Sequence, residues 1–195
     1  MITLPNECLF EILYNLKDYR RSLYSCLLVN RQWCRNVVPI LWSELDVFKN
    51  KALVKTCLLM LNTEEQALLI PFNIMLPNNS KPLFEYTTYV TDINIDSVDG
   101  IINWLYHEKQ EFHYSWSTVT KIIKHSLTLM LLRTSVKLKY LSVRGKAVNL
   151  LEKILIKSTS LSSLTFSRNE LLPEDIKALA KTLCILVFRN VILVM

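Results

Sequence analysis

LPNECLFEILYNL, residues 4–16, sets Leu9, Ile12, Leu13 and Leu16 at i, i+3, i+4 and i+7, the stripe of one amphipathic helix. Pro5 suits a first helical turn, where a fixed φ and a missing N–H cost nothing. The helix is read from Pro5 to about Asn15. Two more short apolar segments follow at once. Asp18 stands as an N-cap for a helix over about 19–29, with Leu23, Cys26 and Leu27 on one face and Tyr24 and Leu28 on another. A third segment carries Trp33 and is expected over about 30–38, stopping before Pro39, because the residue ahead of a proline avoids the helical region. A unit this small, with Trp33, Trp42 and so many aliphatics, is marginal alone. Its surplus apolar surface predicts a binding face.

Eleven residues of this stretch also stand in a known register. Leu4-Pro5, Glu7, Leu9, Ile12, Leu16, Leu23, Val29, Arg31, Trp33 and Trp42 give LPxE, an isoleucine, a leucine-bearing second helix, V-x-R-x-W and a final tryptophan. In this pattern residues 2–45 resemble an F-box. Cys8 departs from it where the family often has leucine, a conservative swap in a packed helix. The resemblance implies a three-helix module that docks on the Skp-type adaptor of cullin–RING (SCF) ubiquitin ligases, with the rest of the chain capturing a target. It also implies an adaptor-binding set of Leu4, Pro5, Glu7, Leu9, Ile12, Leu28, Val29 and Trp33. Which of these face outward is left open by the sequence.

Residues 46–82 read as a helical linker and loop. A helix over 48–61 carries Leu53, Cys57, Leu58 and Leu61, and Asn62 with Glu65 forms a capping box for a helix over about 63–70. Pro71, Pro77, Asn78, Asn79, Ser80 and Pro82 then mark the clearest break in the chain.

Residues 83–195 carry an internal repeat. LKYLSVRGK (138–146), LSSLTFSRN (161–169) and LCILVFRN (183–190) align on their first leucines at intervals of 23 and 22 residues. The middle copy resembles the leucine-rich-repeat frame LxxLxLxxN, with Phe166 for the third leucine and Asn169 at the turn; the first has Lys146 in place of the asparagine. Val90, Ile93 and Ile95 keep the same spacing, 48 residues ahead of Leu138, Leu141 and Val143, and are read as an earlier strand. Helices are expected between strands: 96–107 capped by Asp96, 117–132, 147–157, and 173–182 from Pro173. Strand, turn and helix at this period form a solenoid in which each unit buries its face on a neighbour. The expected fold is therefore an all-α three-helix F-box (1–45) followed by an α/β leucine-rich-repeat-like solenoid. The apolar stretch 184–194 has no polar cap, so that solenoid is expected either to be truncated or to pair its tail with something.

Composition narrows the function. The 195 residues are 51% apolar and 21% charged, a globular composition. With only Gly100 and Gly145, neither a GxGxxG nor a P-loop can be written. Cys8, Cys26, Cys34, Cys57 and Cys184 are odd in number and form no CxxC, so they are read as reduced, buried thiols of a cytoplasmic or nuclear protein. No signal peptide and no membrane-length apolar run is visible. His107-Glu108-Lys109-Gln110-Glu111 begins like HExxH but has Glu111 where the second zinc histidine belongs. Asp96 and Asp99 read as helix-start charge rather than an acid–base pair.

The formal charge of +6 is uneven: residues 84–111 are acidic and 133–157 basic. The basic run alternates lysines with core leucines and has Tyr140 as its only aromatic, a solvated face rather than a nucleic-acid platform. No catalytic residue, metal, cofactor, membrane or nucleic-acid partner is expected. The reading is a non-catalytic substrate-recognition adaptor of an SCF-type ubiquitin ligase, binding the Skp-type adaptor, through it the cullin, and an unknown protein target. The alternative is a repeat-type protein-binding scaffold with no ubiquitin-ligase role.

Overall fold

The computed structural model of the chain describes residues 4–44, 46–78, 80–109, 111, 113–144, 162–167 and 192–194. It opens with three helices, α1 (Asn6–Tyr14), α2 (Arg20–Cys26) and α3 (Arg31–Ser43). Leu9, Leu13, Leu23, Val37, Ile40 and Leu41 close a small core between them. Both α1 and α2 pack on α3. Asn30 caps α3, its side chain accepting from Trp33 N at 2.9 Å, a bond worth about 1 kcal/mol. Gln32 ties the starts of α1 and α3 together by donating to Leu4 O at 3.2 Å and Asn6 Oδ1 at 3.1 Å.

Two local expectations fail here. Asp18 does not cap α2: the N-cap is Tyr19 and no side chain bonds there. The backbone folds a turn instead, with Leu16 N on Leu13 O and Tyr19 N on Leu16 O, so Asp18 falls inside that turn. Nor does α3 stop at Pro39, which lies in its interior. An interior proline costs about 3 kcal/mol. Against it stand Val37, Val38, Ile40 and Leu41, all buried and each worth about 1.5–3 kcal/mol. Tertiary burial outweighs the local rule. The thiols also differ from expectation: Cys57 is buried, Cys26 and Cys34 are half-buried, and Cys8 is exposed.

Residues 46–82 are not a linker. A 3-10 turn (Val47–Lys49), α4 (Lys51–Leu58) and α5 (Thr63–Ala67) pack with the following elements. Phe48, Val54, Leu58, Leu69 and Ile74 share one core with Ile93, Trp104, Leu127 and Leu141. Asn50 caps α4 through Ala52 N at 2.8 Å. The capping box read in the sequence is present, Asn62 Oδ1 accepting from Glu65 N at 2.8 Å and Glu65 Oε2 from Asn62 N at 2.9 Å. Glu65 also holds Arg133 through Oε1 at 2.8 Å and Oε2 at 2.9 Å, linking α5 to α7 (Trp116–Thr134).

The strands β1 (Asp92–Asn94), β2 (Tyr140–Arg144), β3 (Ser163–Ser167) and β4 (Ile192–Val194) form one parallel sheet in sequence order. Ile93 pairs with Leu141 and Leu141 with Leu164, the 48- and 23-residue intervals of the repeat. Between β1 and β2 run α6 (Asp99–His107) and α7, both in one crossover, as parallel pairing requires. Asp96 does not cap α6; Val98 holds that position, and Asp96 N instead donates to Asn94 Oδ1 at 2.9 Å. Residues 183–190, Lys146, Asn169 and the helices read over 147–157 and 173–182 lie outside the described residues. The described edge strands are β1 and β4, with Leu193 of β4 opposite Leu164. Helix far outweighs strand among the described residues, and a complete strand–helix solenoid is not seen in them.

Gly100 explains one of the two glycines. A Cβ there would lie 2.7 Å from Asn50 N and 2.7 Å from Phe48 O, so α6 reaches the backbone before α4 only because residue 100 has no side chain.

Candidate functional site

The α1 stripe divides. Leu9 and Leu13 point into the three-helix core at 2% and 0% exposure. Ile12 lies outside it at 51%, as does Leu4 at 51%. Pro5 and Glu7 are exposed as well. Beyond α2 the chain turns, with Leu28 N on Ser25 O and Val29 N on Cys26 O. That turn projects Leu28, 88% exposed, and Val29, 56% exposed. It leads into the Asn30 cap, so Leu28 and Val29 sit at the same end of α3 as Gln32 and the Leu4 backbone it holds.

Of the eight residues implied for adaptor contact, Leu4, Pro5, Glu7, Ile12, Leu28 and Val29 are therefore at the surface. Leu9 is a correction: it fills the core and has no surface to offer. Trp33 is intermediate, packed against that core. Glu7 and Ile12 line a shallow depression with Cys8, Phe10, Glu11 and Asn36. Cys8 and Phe10 were not singled out as contacts. Their signal is only their place on α1 between Glu7 and Ile12.

Single exposed apolar residues are ordinary, but Leu4, Ile12, Tyr14, Tyr19, Tyr24, Leu28 and Val29 are all exposed on one three-helix unit. Residues 1–47 match the family model of the F-box-like domain. The N-terminal unit is an F-box-like domain. No curated protein and no solved structure matches the chain. F-box domains generally bind Skp-type adaptors.

The F-box-like domain is joined to the second core through the end of α3. Trp42 packs against both cores and stacks on Tyr86, ring centroids 4.7 Å apart. Burial pushes the Tyr86 phenol up, and the neighbouring Cys34 adds to that. Ser43 O accepts from both Thr91 N at 2.9 Å and Thr91 Oγ1 at 3.0 Å. Arg20 Nη2 reaches Glu44 O at 3.2 Å.

Among the described residues no three His, Cys, Asp or Glu side chains gather as a metal site. His107 Nδ1 lies 3.6 Å from Glu108 Oε1, which is held at 3.0 Å by Lys55. The bond to Lys55 holds the Glu108 carboxyl below its usual range, so the HExxH-like fragment is occupied by an ion pair. No described helix is long and apolar enough to cross a membrane.

Proposed function

We propose that the chain is a non-catalytic substrate receptor of an SCF-type ubiquitin ligase. The F-box-like domain docks on a Skp-type adaptor, and through it on a cullin. The parallel sheet with its helices, read as a leucine-rich-repeat-like array, holds a target protein. Its contribution is proximity: target lysines are brought near a charged ubiquitin-conjugating enzyme, and the chain supplies no reacting group. The observation that carries this reading is the exposed set Leu4, Ile12, Leu28 and Val29 on a unit that already has its own closed core. Each such side chain is worth about 1.5–3 kcal/mol if covered, and an adaptor would cover them. A cytoplasmic or nuclear setting accords with this role.

Co-expression with a Skp-type adaptor tests it, beside Leu28→Glu. Leu28 is 88% exposed, so the substitution leaves the fold alone; Trp33, packed on the core, is a poorer choice. A stoichiometric complex that the variant loses supports the reading. Full expression with no complex overturns it in favour of a protein-binding scaffold. One contact favours that second reading: the turn Val47–Lys49, where the F-box-like domain ends, packs against β1, as a capping unit would.

A further inference from the structure

The outward face of the sheet carries a groove beside β1. Asp92 and Asn94 of β1, Tyr140 and Ser142 of β2, and Glu44 and Asp46 from the end of the F-box-like domain line it. Ile93 and Leu141 face the core from the same strands, at 4% and 1% exposure, so alternation turns their neighbours outward. The groove measures about 200 Å³. Sites for drug-sized ligands run to about 300–1,000 Å³, so this one suits a single long side chain.

Its charge is unlike that of the chain. The formal net charge is +6, yet among the described residues lining the groove there are three carboxylates and no Lys, Arg or His. Lys49 engages Asp46 Oδ2 at 3.2 Å. Asp46 Oδ1 is buried with no hydrogen-bond partner among the described residues. Among the described residues Asp92 accepts only from Thr91 Oγ1, at 2.5 Å, and neither it nor Glu44 has an ion-pair partner there.

An aromatic ring stands beside these carboxylates. Tyr140 is 51% exposed and pairs in register with Asp92 on the adjacent strand, one strand spacing of about 4.8 Å away. A ring face next to unneutralised carboxylates attracts a guanidinium twice, by stacking and by charge-assisted hydrogen bonds. An ammonium gains the charge term but not the planar fork.

We infer that this groove reads an arginine side chain of an extended segment in the target protein. The inference rests on the receptor function proposed above and names the chemistry of what is received. Asn94, Ser142 and Thr165 offer the polar edges along which the rest of the segment runs. Nucleic acid is disfavoured by the same carboxylates.

Fluorescence anisotropy with the full chain tests it, using a labelled Gly/Ser peptide bearing spaced arginines, and the same peptide with lysine or with glutamate. The arginine peptide should bind at least about tenfold more tightly than the glutamate peptide, with lysine between them. Asp92→Asn and Tyr140→Leu should each weaken arginine binding about fivefold or more, and Glu44→Gln less, because it sits at the rim. Circular dichroism and adaptor co-purification of the same variants report whether the fold is kept. Equal binding of the arginine and glutamate peptides, no binding of any, or folded variants with unchanged affinity would overturn the inference. Adaptor binding alongside peptide failure leaves the receptor reading standing without this site. Arginine selectivity without adaptor binding leaves the site and removes the ligase.

Discussion

Trp42 lies nearly face to face with Tyr86, ring centroids 4.7 Å apart and planes 18° from parallel. The pair holds the last turn of α3 against the segment leading into β1, and Phe84 packs on Tyr86 in a tilted arrangement, ring centroids 5.5 Å apart. A small helical unit that is marginal by itself thereby shares the stability of the larger core. The same stack fixes the F-box-like domain relative to the sheet.

Removing this joint should uncouple the two cores. Trp42→Ala deletes a large half-buried ring, with an expected loss of about 2–4 kcal/mol. Urea unfolding followed by circular dichroism should change from one transition to two, the F-box-like domain melting first. A single transition in the variant would show that the joint does not couple them.

Leu9 and Leu28 make a matched contrast. Leu9→Ala opens a cavity in the three-helix core and should cost about 2–5 kcal/mol. Leu28→Ala removes an exposed side chain and should change stability by less than about 0.5 kcal/mol. Only Leu28→Ala should weaken adaptor capture while leaving the melting curve in place. Paired thermal melts and pull-downs distinguish the two effects.

Gly100→Ala should destabilise the chain. The added Cβ meets backbone atoms of Phe48 and Asn50 rather than the end of a flexible side chain, so relief requires α6 to shift. The expected loss is about 1–3 kcal/mol, read as a lower urea midpoint. An unchanged midpoint would mean that α6 and the Asn50 turn can separate freely.

Arg133 and Glu65 form a two-bond ion pair on a carboxylate whose side chain is 6% exposed. That bond pushes the guanidinium pKa up. Arg133→Met strands the carboxylate. Breaking a buried pair costs about 3–5 kcal/mol, and the one-third exposure of Arg133 reduces this to roughly 2–3. Glu65→Gln, which keeps the capping box, should cost less. Equal losses would mean that the stranded carboxylate adds nothing beyond loss of the pair itself.

Cys57 should resist alkylation. Burial pushes its thiol up to about 12 from 9.0. A raised folded pKa means that the neutral thiol's contribution is intact below about pH 9 and is lost as pH rises toward 12. Stability should therefore fall on the alkaline side. Peptide mapping after brief maleimide treatment at neutral pH should find Cys8 modified and Cys57 untouched. Modification of Cys57 at the rate of Cys8 would mean that the second core opens readily.

The sequence by itself determined the helical stripe of α1, the capping box of Asn62 and Glu65, and the register of Ile93, Leu141 and Leu164. These depend on neighbours close in the chain or on a repeated interval, and periodicity carries both. The F-box-like spacing was legible for the same reason. Tertiary structure decided what no window can hold. Leu9 and Ile12 share one stripe, yet only the packing of α1 on α3 sends the first inward and leaves the second in water. Pro39 marks a helix end by local rules, and burial of its neighbours on both sides carries α3 past it. Residues 46–82 read as a linker because their partners lie far along the chain. Asp92, Tyr140 and Glu44 become one groove only when β1 pairs with β2 beside the end of α3. Side-chain burial is a property of the assembled core, and a local pattern proposes it without fixing its direction.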